Sequence, residues 1–343
     1  MKNRSFLLFI GFIILVCSCS KKNASFQGRQ YTGTILGKSY SIDVVGDTLD
    51  LADQIDSLNL LFAKNFNPYS PNSVIGRLNA YKSTDSSFAF YDSTLLFGIV
   101  FDLAKEGNRK SKTSWDPTLN PIRREWYSRS FSGVGGEPNL DSLFQFVGFN
   151  DNFDLNEIHD DSNKYVKSLI RKKDPRSELD LTSIAVAYWA DAISSLLSSL
   201  GATQYRINVD YLTVCHGAII DSLNIVRMNI TTDTADKSIR LINGAFSYKT
   251  AKEKRNMIDP SYGYPVDNEM LYAAVASSRA VDAEIFSEAF LIMGIEQAFV
   301  WYEENEDTNI HSWVFYKNEN EISSASTEGF NEMIISKVAE EEQ

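Results

Sequence analysis

From 31 to 45 apolar and polar residues alternate well enough for a strand, with Tyr40, Ile42 and Val44 falling on one face. The period then lengthens. Leu51, Ile55, Leu58 and Phe62 recur at helical spacing, until Asn67-Pro68-Tyr69-Ser70-Pro71-Asn72-Ser73 breaks the chain into a loop. A second helix is predicted near 94–106, with Leu96, Ile99, Val100 and Leu103 on one side and Gly107 at its end. Residues 128–178, rich in Ser, Gly, Asp and Asn, read as an elaborated loop region rather than a linker between domains. Ile184, Tyr188, Ala192, Leu196, Leu197 and Leu200 make a third helix, closed by Gly201 as its C-cap. Strands are predicted at 205–209, 223–230 and 239–242, a fourth helix near 281–293 ending at Gly294, and final strands near 299–302 and 311–316. The strands cluster in hairpin-like pairs. That pattern predicts an α+β fold with mixed, largely antiparallel sheets and packed helices, not a doubly wound parallel sheet.

The first residues follow neither period. Lys2 and Arg4 precede an apolar run over 6–16 that only Gly11 interrupts. The run is shorter than the roughly 20 residues a membrane-spanning helix needs, and it reads as the core of a signal peptide. Val16-Cys17-Ser18-Cys19 resembles a bacterial lipobox, in which a small residue precedes the cysteine that becomes lipidated. On that reading 1–18 is removed, Cys19 carries the lipid, 19–30 is a tether and 31–338 is one folded unit. The alternative is an ordinary secretory peptide cut at a small residue. The lipobox reading predicts a bacterial lipoprotein of the cell envelope. It would face the periplasm or the cell exterior and meet the membrane through its anchor alone.

Composition narrows the chemistry. With 43% hydrophobic and 12% aromatic residues, 343 residues can bury a large core. A formal net charge of −12 argues against nucleic-acid binding, because phosphates demand clustered Lys and Arg. Once the leader is gone and Cys19 is lipidated, Cys215 is the cysteine left with a candidate thiol. Its neighbour His216 points to the opposite face of a strand, so Cys215 reads as core filler. No G-x-S-x-G elbow, Walker loop, H-E-x-x-H or paired C-x-x-C is present, and Gly133-Val134-Gly135-Gly136 follows no strand. His159, His216 and His311 show no ligand spacing. Glu284 and Glu288 lie four apart, with Ser287 beside them on one helix face. Like charges at that spacing repel, so the face is either solvated or a set of oxygen ligands for a hard cation such as Mg²⁺.

Five segments, in order, carry a stronger signal. Leu36-Gly37-Lys38-Ser39-Tyr40-Ser41-Ile42 looks like M-G-T-x-Y-S-I, and Tyr69-Ser70-Pro71-Asn72-Ser73-Val74-Ile75-Gly76-Arg77-Leu78-Asn79 like Y-x-P-x-S-E-I-S-R-L-N. Trp115-Asp116-Pro117-Thr118-Leu119-Asn120-Pro121-Ile122 resembles F-D-P-T-V-G-P-L. Asp180-Leu181-Thr182-Ser183-Ile184-Ala185-Val186-Ala187-Tyr188 resembles D-L-G-G-I-A-K-G-Y, and Ile258-Asp259-Pro260-Ser261-Tyr262-Gly263-Tyr264-Pro265 resembles I-D-P-x-T-G-Y-P. The helix from Ala283-Glu284 to Gly294 falls where A-D-x-x-x-T-A would follow. Together these resemble the FAD:protein FMN transferase family, the ApbE type, over nearly the whole chain after the leader.

The resemblance implies an ApbE-like, T-fold-like catalytic unit that binds FAD and Mg²⁺. Such an enzyme splits the pyrophosphate and passes FMN to a threonine of a partner flavoprotein. By motif position Asp180 and Asp259 would be catalytic. Leu36, Tyr69, Ser114, Trp115, Asp116, Asp180, Val186, Met257 and Ile258 would hold the flavin, with Tyr69 and Trp115 as aromatic candidates for the isoalloxazine slot. Ser183, Glu284, Ser287 and Glu288 would sit at the metal. The chain also departs from the pattern: Val186 replaces its lysine, Thr182, Ser183 and Ala187 replace glycines, and Asn256 replaces its histidine. Glu284 and Glu288 stand for its Asp and Thr, and Asp210-Tyr211 for a Gly-Gly turn. A transferase, a degenerate flavin binder or FAD hydrolase, and a non-enzymatic surface lipoprotein all remain open at this point.

Overall fold

The alternation over 31–45 folds back on itself at Leu36-Gly37, where φ is +47° and +82°. The result is a hairpin of β1 (Gly28–Ile35) and β2 (Lys38–Val45). The computed structural model describes residues 28–46, 50–133, 135–159, 166–217, 225–228, 237–305, 308–319 and 321–335. The leader, Cys19 and most of the tether lie outside these residues, as does part of the strand predicted at 223–230.

After the hairpin come α1 (Ala52–Phe66) and α2 (Val74–Ala80), the latter N-capped by Ser73, whose Oγ accepts the Gly76 N–H at 3.0 Å. Next are β3 (Phe88–Tyr91), α3 (Leu96–Lys110) and α4 (Asn120–Ser132). The region expected to be loop is structured. It holds α5 (Leu140–Phe144), α6 (Phe149–Asn152), β4 (Phe153–His159) and β5 (Val166–Lys172). β3, β5 and β4 form a small antiparallel sheet in that order. Alternation is hard to see in β4 because, after buried Phe153, its residues are mostly exposed.

Next, α7 (Thr182–Ser199) stops as predicted, with Gly201 at φ +85° and the Ala202 N–H returning to the Leu197 carbonyl at 3.0 Å. The remaining strands are β6 (Tyr205–Val209), β7 (Leu212–His216), β8 (Ile225–Met228), β9 (Lys237–Arg240), β10 (Gly244–Thr250), β11 (Met270–Ser277), β12 (His311–Asn318) and β13 (Glu321–Ser326). Among them lie α8 (Ala251–Lys254), α9 (Ala280–Glu304) and α10 (Glu328–Asn331).

Eight strands form one sheet in the order β1-β2-β6-β7-β10-β11-β12-β13, every pairing antiparallel. α7 and α9 cover one face, with Trp189, Phe286, Phe290 and Trp301 fully or almost fully buried there. The other face carries a second core of Cys215, Phe246, Tyr272, Trp313, Phe315 and Phe330. Cys215 is thus the filler its position predicted, and burial pushes its thiol up to about 11.

Gly294 does not end the last long helix. At φ +76° it kinks α9 into two. The Asn268 side-chain amide donates to the Leu291 and Ile292 carbonyls, and the Glu269 carboxylate accepts the Ile295 N–H at 2.7 Å, so both halves are capped at the break. The strand expected near 299–302 is therefore helix. Ala298 and Trp301 pack on the core at helical spacing while Phe299 and Val300 stay half exposed.

The start of α9 is capped from α7. Asp191 accepts the Ala280 N–H at 2.9 Å and the Val281 N–H at 3.3 Å. Burial nonetheless outweighs these bonds and raises its carboxyl to about 6. A carboxyl raised in the folded state favours folding most when protonated, below about pH 4, and that contribution is lost as pH rises through 6. Relative to Asp191→Asn, the wild type is expected to gain on the order of 3 kcal/mol of unfolding free energy between pH 7 and pH 4, read by urea titration at both pH values.

Candidate functional site

A two-residue turn, Asp210-Tyr211, joins β6 to β7, with Asp210 in the left-handed region at φ +52°. Asp tolerates that conformation where most side chains do not. Lys38 pins the turn to β2 through a 2.6 Å ion pair with Asp210. Beneath the turn lies a cavity of about 390 Å³. Its walls come from the 115–120 loop, the first turns of α4 and α7, the β6–β7 turn, the end of β10, the segment through Met257, and α9.

The cavity's floor is apolar. Trp115, Leu119, Val186 and Met257 line it, each less than 9% exposed. Trp115 is fixed by its backbone: its N–H reaches the Ser111 hydroxyl at 3.2 Å and its carbonyl accepts from Asn108 at 2.7 Å. The polar wall begins with Asp180, just before α7. The Asp180 carboxylate accepts the Thr182 N–H at 3.0 Å and the Asn120 amide at 3.4 Å. Asn120 in turn accepts from Arg123 at 2.8 Å, and Arg123 also donates to the Asn256 carbonyl at 3.2 Å.

Opposite stands β10. Ala245, Ser247 and Lys249 share the strand face that packs on α9, following the period of two. Lys249 Nζ lies 2.6 Å from Glu284 Oε1, and the Ser247 hydroxyl donates to Glu284 Oε2 at 2.6 Å. The buried Ser287 hydroxyl donates to the Glu284 carbonyl at 2.9 Å and lies 3.3 Å from Ser247. Burial by itself lowers the Lys249 pKa, but the Glu284 carboxylate overcomes it, and the ammonium is held above its ordinary range. Glu288 is different. Among the described residues nothing hydrogen-bonds its carboxylate, and burial raises its pKa against the pull of Lys249 and Arg123.

The structure brings together Trp115, Asp116, Asp180, Ser183, Val186, Met257, Glu284 and Glu288 of the sequence-predicted set, all on the cavity wall. Ser287 stands directly behind Glu284. Asp116 turns its carboxylate into its own loop, accepting from Thr118 and from the Phe149 N–H, and burial raises its pKa. Tyr69, Leu36, Ser114, Ile258 and Asp259 lie away from the wall. Tyr69 is 94% exposed, whereas Leu36 packs against the main core from the β1–β2 turn and Ile258 is buried in a satellite core. Ser114 closes a turn onto the Ser111 carbonyl, and Asp259 makes a tight turn with Ser261 and Gly263. Sequence reasoning missed Lys249, Arg123 and Asn120. The signal for Lys249 was present: a cation in phase with Ala245 and Ser247 on a strand whose alternate residues are Phe246 and Tyr248.

A divalent cation needs several oxygen ligands that no other group has taken. Both Glu284 oxygens are engaged by Lys249 and Ser247, Ser287 is bonded within the protein, and Glu288 is left as one carboxylate. Among the described residues no group of three acidic, His or Cys side chains is placed to hold a metal ion. The donor set does not fit Mg²⁺. The lining joins an apolar floor to the cations Arg123 and Lys249, a chemistry that suits a ligand with an aromatic part and an anionic part.

Comparisons with known proteins give the family and the fold. The ApbE family model matches residues 36–311. An FAD:protein FMN transferase of Buchnera aphidicola subsp. Schizaphis graminum is 22% identical over 310 residues, covering 86% of this chain and 87% of its own. One from Vibrio cholerae is 22% identical over 323 residues, covering 88% and 92%. Among solved structures, the flavin transferase ApbE from Vibrio cholerae superposes with a TM-score of 0.73 at 19% identity, over 89% of this chain and 99% of that one. The apo flavinyl transferase ApbE of Pseudomonas stutzeri gives 0.72 at 18%, over 90% and 96%. These likenesses show the same α+β fold.

Removing one partner of a buried ion pair strands the other. Glu284→Gln is expected to cost about 3 kcal/mol of unfolding free energy. Pairing it with Lys249→Met should cost less than the two single changes summed, because the double variant leaves neither member of the pair buried without the other. Urea titrations of the three variants decide it.

Proposed function

Because the chain belongs to the ApbE family, we propose that it is an FAD:protein FMN transferase, moving the FMN half of FAD onto a threonine hydroxyl of a partner flavoprotein. The observation that carries this reading is the cavity itself. It gathers Trp115, Asp180, Val186, Met257 and Glu284 from four separated segments, and joins an apolar floor to convergent charge.

In the proposed reaction the isoalloxazine ring rests on the floor formed by Trp115, Val186 and Met257, out of water. The pyrophosphate lies toward Arg123 and Lys249. Arg123 is held in place by Asn120 and the Asn256 carbonyl, so its remaining N–H groups are pre-aimed. The threonine oxygen forms a bond to the FMN phosphorus. The P–O bond to the AMP phosphate breaks, and AMP leaves with its electron pair. The hydroxyl proton passes to Asp180, whose carboxylate is oriented by the Thr182 N–H and the Asn120 amide. The histidine of the family pattern, Asn256 here, is not needed in this scheme. Lys249 and Ser247 already occupy both Glu284 oxygens and Ser287 is bonded within the protein, so the positive charge in this scheme comes from Arg123 and Lys249. The basic and apolar leader followed by Cys19 supports a tethered enzyme, acting at a membrane of the cell envelope.

Incubated with FAD and an acceptor peptide bearing a threonine, the protein is expected to yield peptide-linked FMN and AMP in equal amounts. Asp180→Asn should slow transfer by about 10²–10⁴-fold, the contribution of a positioned base, while FAD affinity changes little. FAD that stays intact in every buffer tested would sink the transferase reading.

A further inference from the structure

We infer that Lys249 stands where a divalent cation would bind, and that the site grips the pyrophosphate of its flavin dinucleotide with Lys249 and Arg123 instead of a metal ion. The inference rests on the flavin reading above and concerns how that same site supplies positive charge.

Mg²⁺ takes oxygen ligands in near-ideal octahedral geometry at roughly 2.0–2.1 Å. At Glu284 an ammonium already lies 2.6 Å from one oxygen and a hydroxyl 2.6 Å from the other. A divalent ion at either oxygen would be pressed against the like charge of Lys249. Among the described residues no group of three acidic, His or Cys side chains offers a second place. Ser287 is fully buried and bonded to Glu284 and Ser247.

Lys249 and Arg123 both reach the cavity wall with donors to spare. Lys249 gives one of its three N–H groups to Glu284. Arg123 donates only to neutral oxygens, and among the described residues no carboxylate lies within ion-pair distance of it. Its planar fork suits a phosphate, and both cations come from elements fixed by packing. The family pattern places a lysine on α7 where this chain has Val186. Here the cation that meets Glu284 arrives from β10 instead.

Two titrations on the purified protein test the inference. Without flavin, Mn²⁺ followed by electron paramagnetic resonance should show no binding to the wild type, whereas Lys249→Ala, which leaves Glu284 and Glu288 uncompensated, should acquire it. With FAD followed by fluorescence quenching, wild-type affinity should be the same in EDTA and in excess Mg²⁺. Arg123→Ala, which leaves the Lys249–Glu284 pair intact, should lose at least about tenfold in EDTA, the weight of one charge-assisted hydrogen bond. Tight Mn²⁺ binding by the wild type overturns the inference, as does FAD affinity that collapses in EDTA or is unmoved by Arg123→Ala. A wild type that binds FAD under neither condition overturns the flavin reading itself. The flavin-free Mn²⁺ titration then still decides whether Lys249 excludes the ion.

Discussion

A helix buried on nearly every side has no solvated face on which to place a charge, yet the first half of α9 carries Glu284 and Glu288. That constraint shapes the rest of the site. The strands beneath must supply a counter-charge for Glu284, and β10 does so with Lys249 and Ser247 in phase on one face. Because adjacent strand residues alternate, the same strand places Phe246 and Tyr248 on the far face, where Phe246 joins the second core. One strand thus serves an apolar core below and an ion pair above.

The electrostatic outcome depends on what the ammonium meets. Lys172 is also buried, but its Nζ faces the Leu78, Asn79, Tyr81 and Pro175 carbonyls, which carry no net charge. Burial wins there and lowers its pKa to about 8. At Lys249 the partner is a carboxylate, and the pair wins over burial. The first lysine satisfies the end of α2, and the second keeps a permanent cation at the wall of a cavity.

Precision at the site comes from how its elements are held. α9 begins under the Asp191 cap and is broken at Gly294 under caps from Asn268 and Glu269, so the segment bearing Glu284 is fixed at both ends. On the opposite wall the Arg123–Asn120–Asp180 chain ties the start of α4 to the start of α7, and the Asp180 N–H is bonded to the Pro117 carbonyl at 2.8 Å. A binding group on such supports loses little freedom when a ligand arrives.

The sequence determined by itself whatever follows from local periodicity and ordered motifs. The alternation over 31–45 and the helices α1, α3 and α7 show in the spacing of apolar residues and the α7 stop in Gly201, whereas the hairpin break at Leu36-Gly37 and the run of α3 past Gly107 do not. The family was legible because five short motifs keep their order even where single residues have changed. Only the tertiary structure decided the rest. The strands in 128–178 are hidden by solvent-facing residues, and 299–302 is helical because Ala298 and Trp301 find the core. It also places some motif residues on the cavity wall and others, such as Tyr69 and Asp259, in turns away from it. The Lys249–Glu284 pair joins residues 35 positions apart on a strand and a helix. No local pattern encodes that contact, because it exists only once α9 has been laid across the sheet.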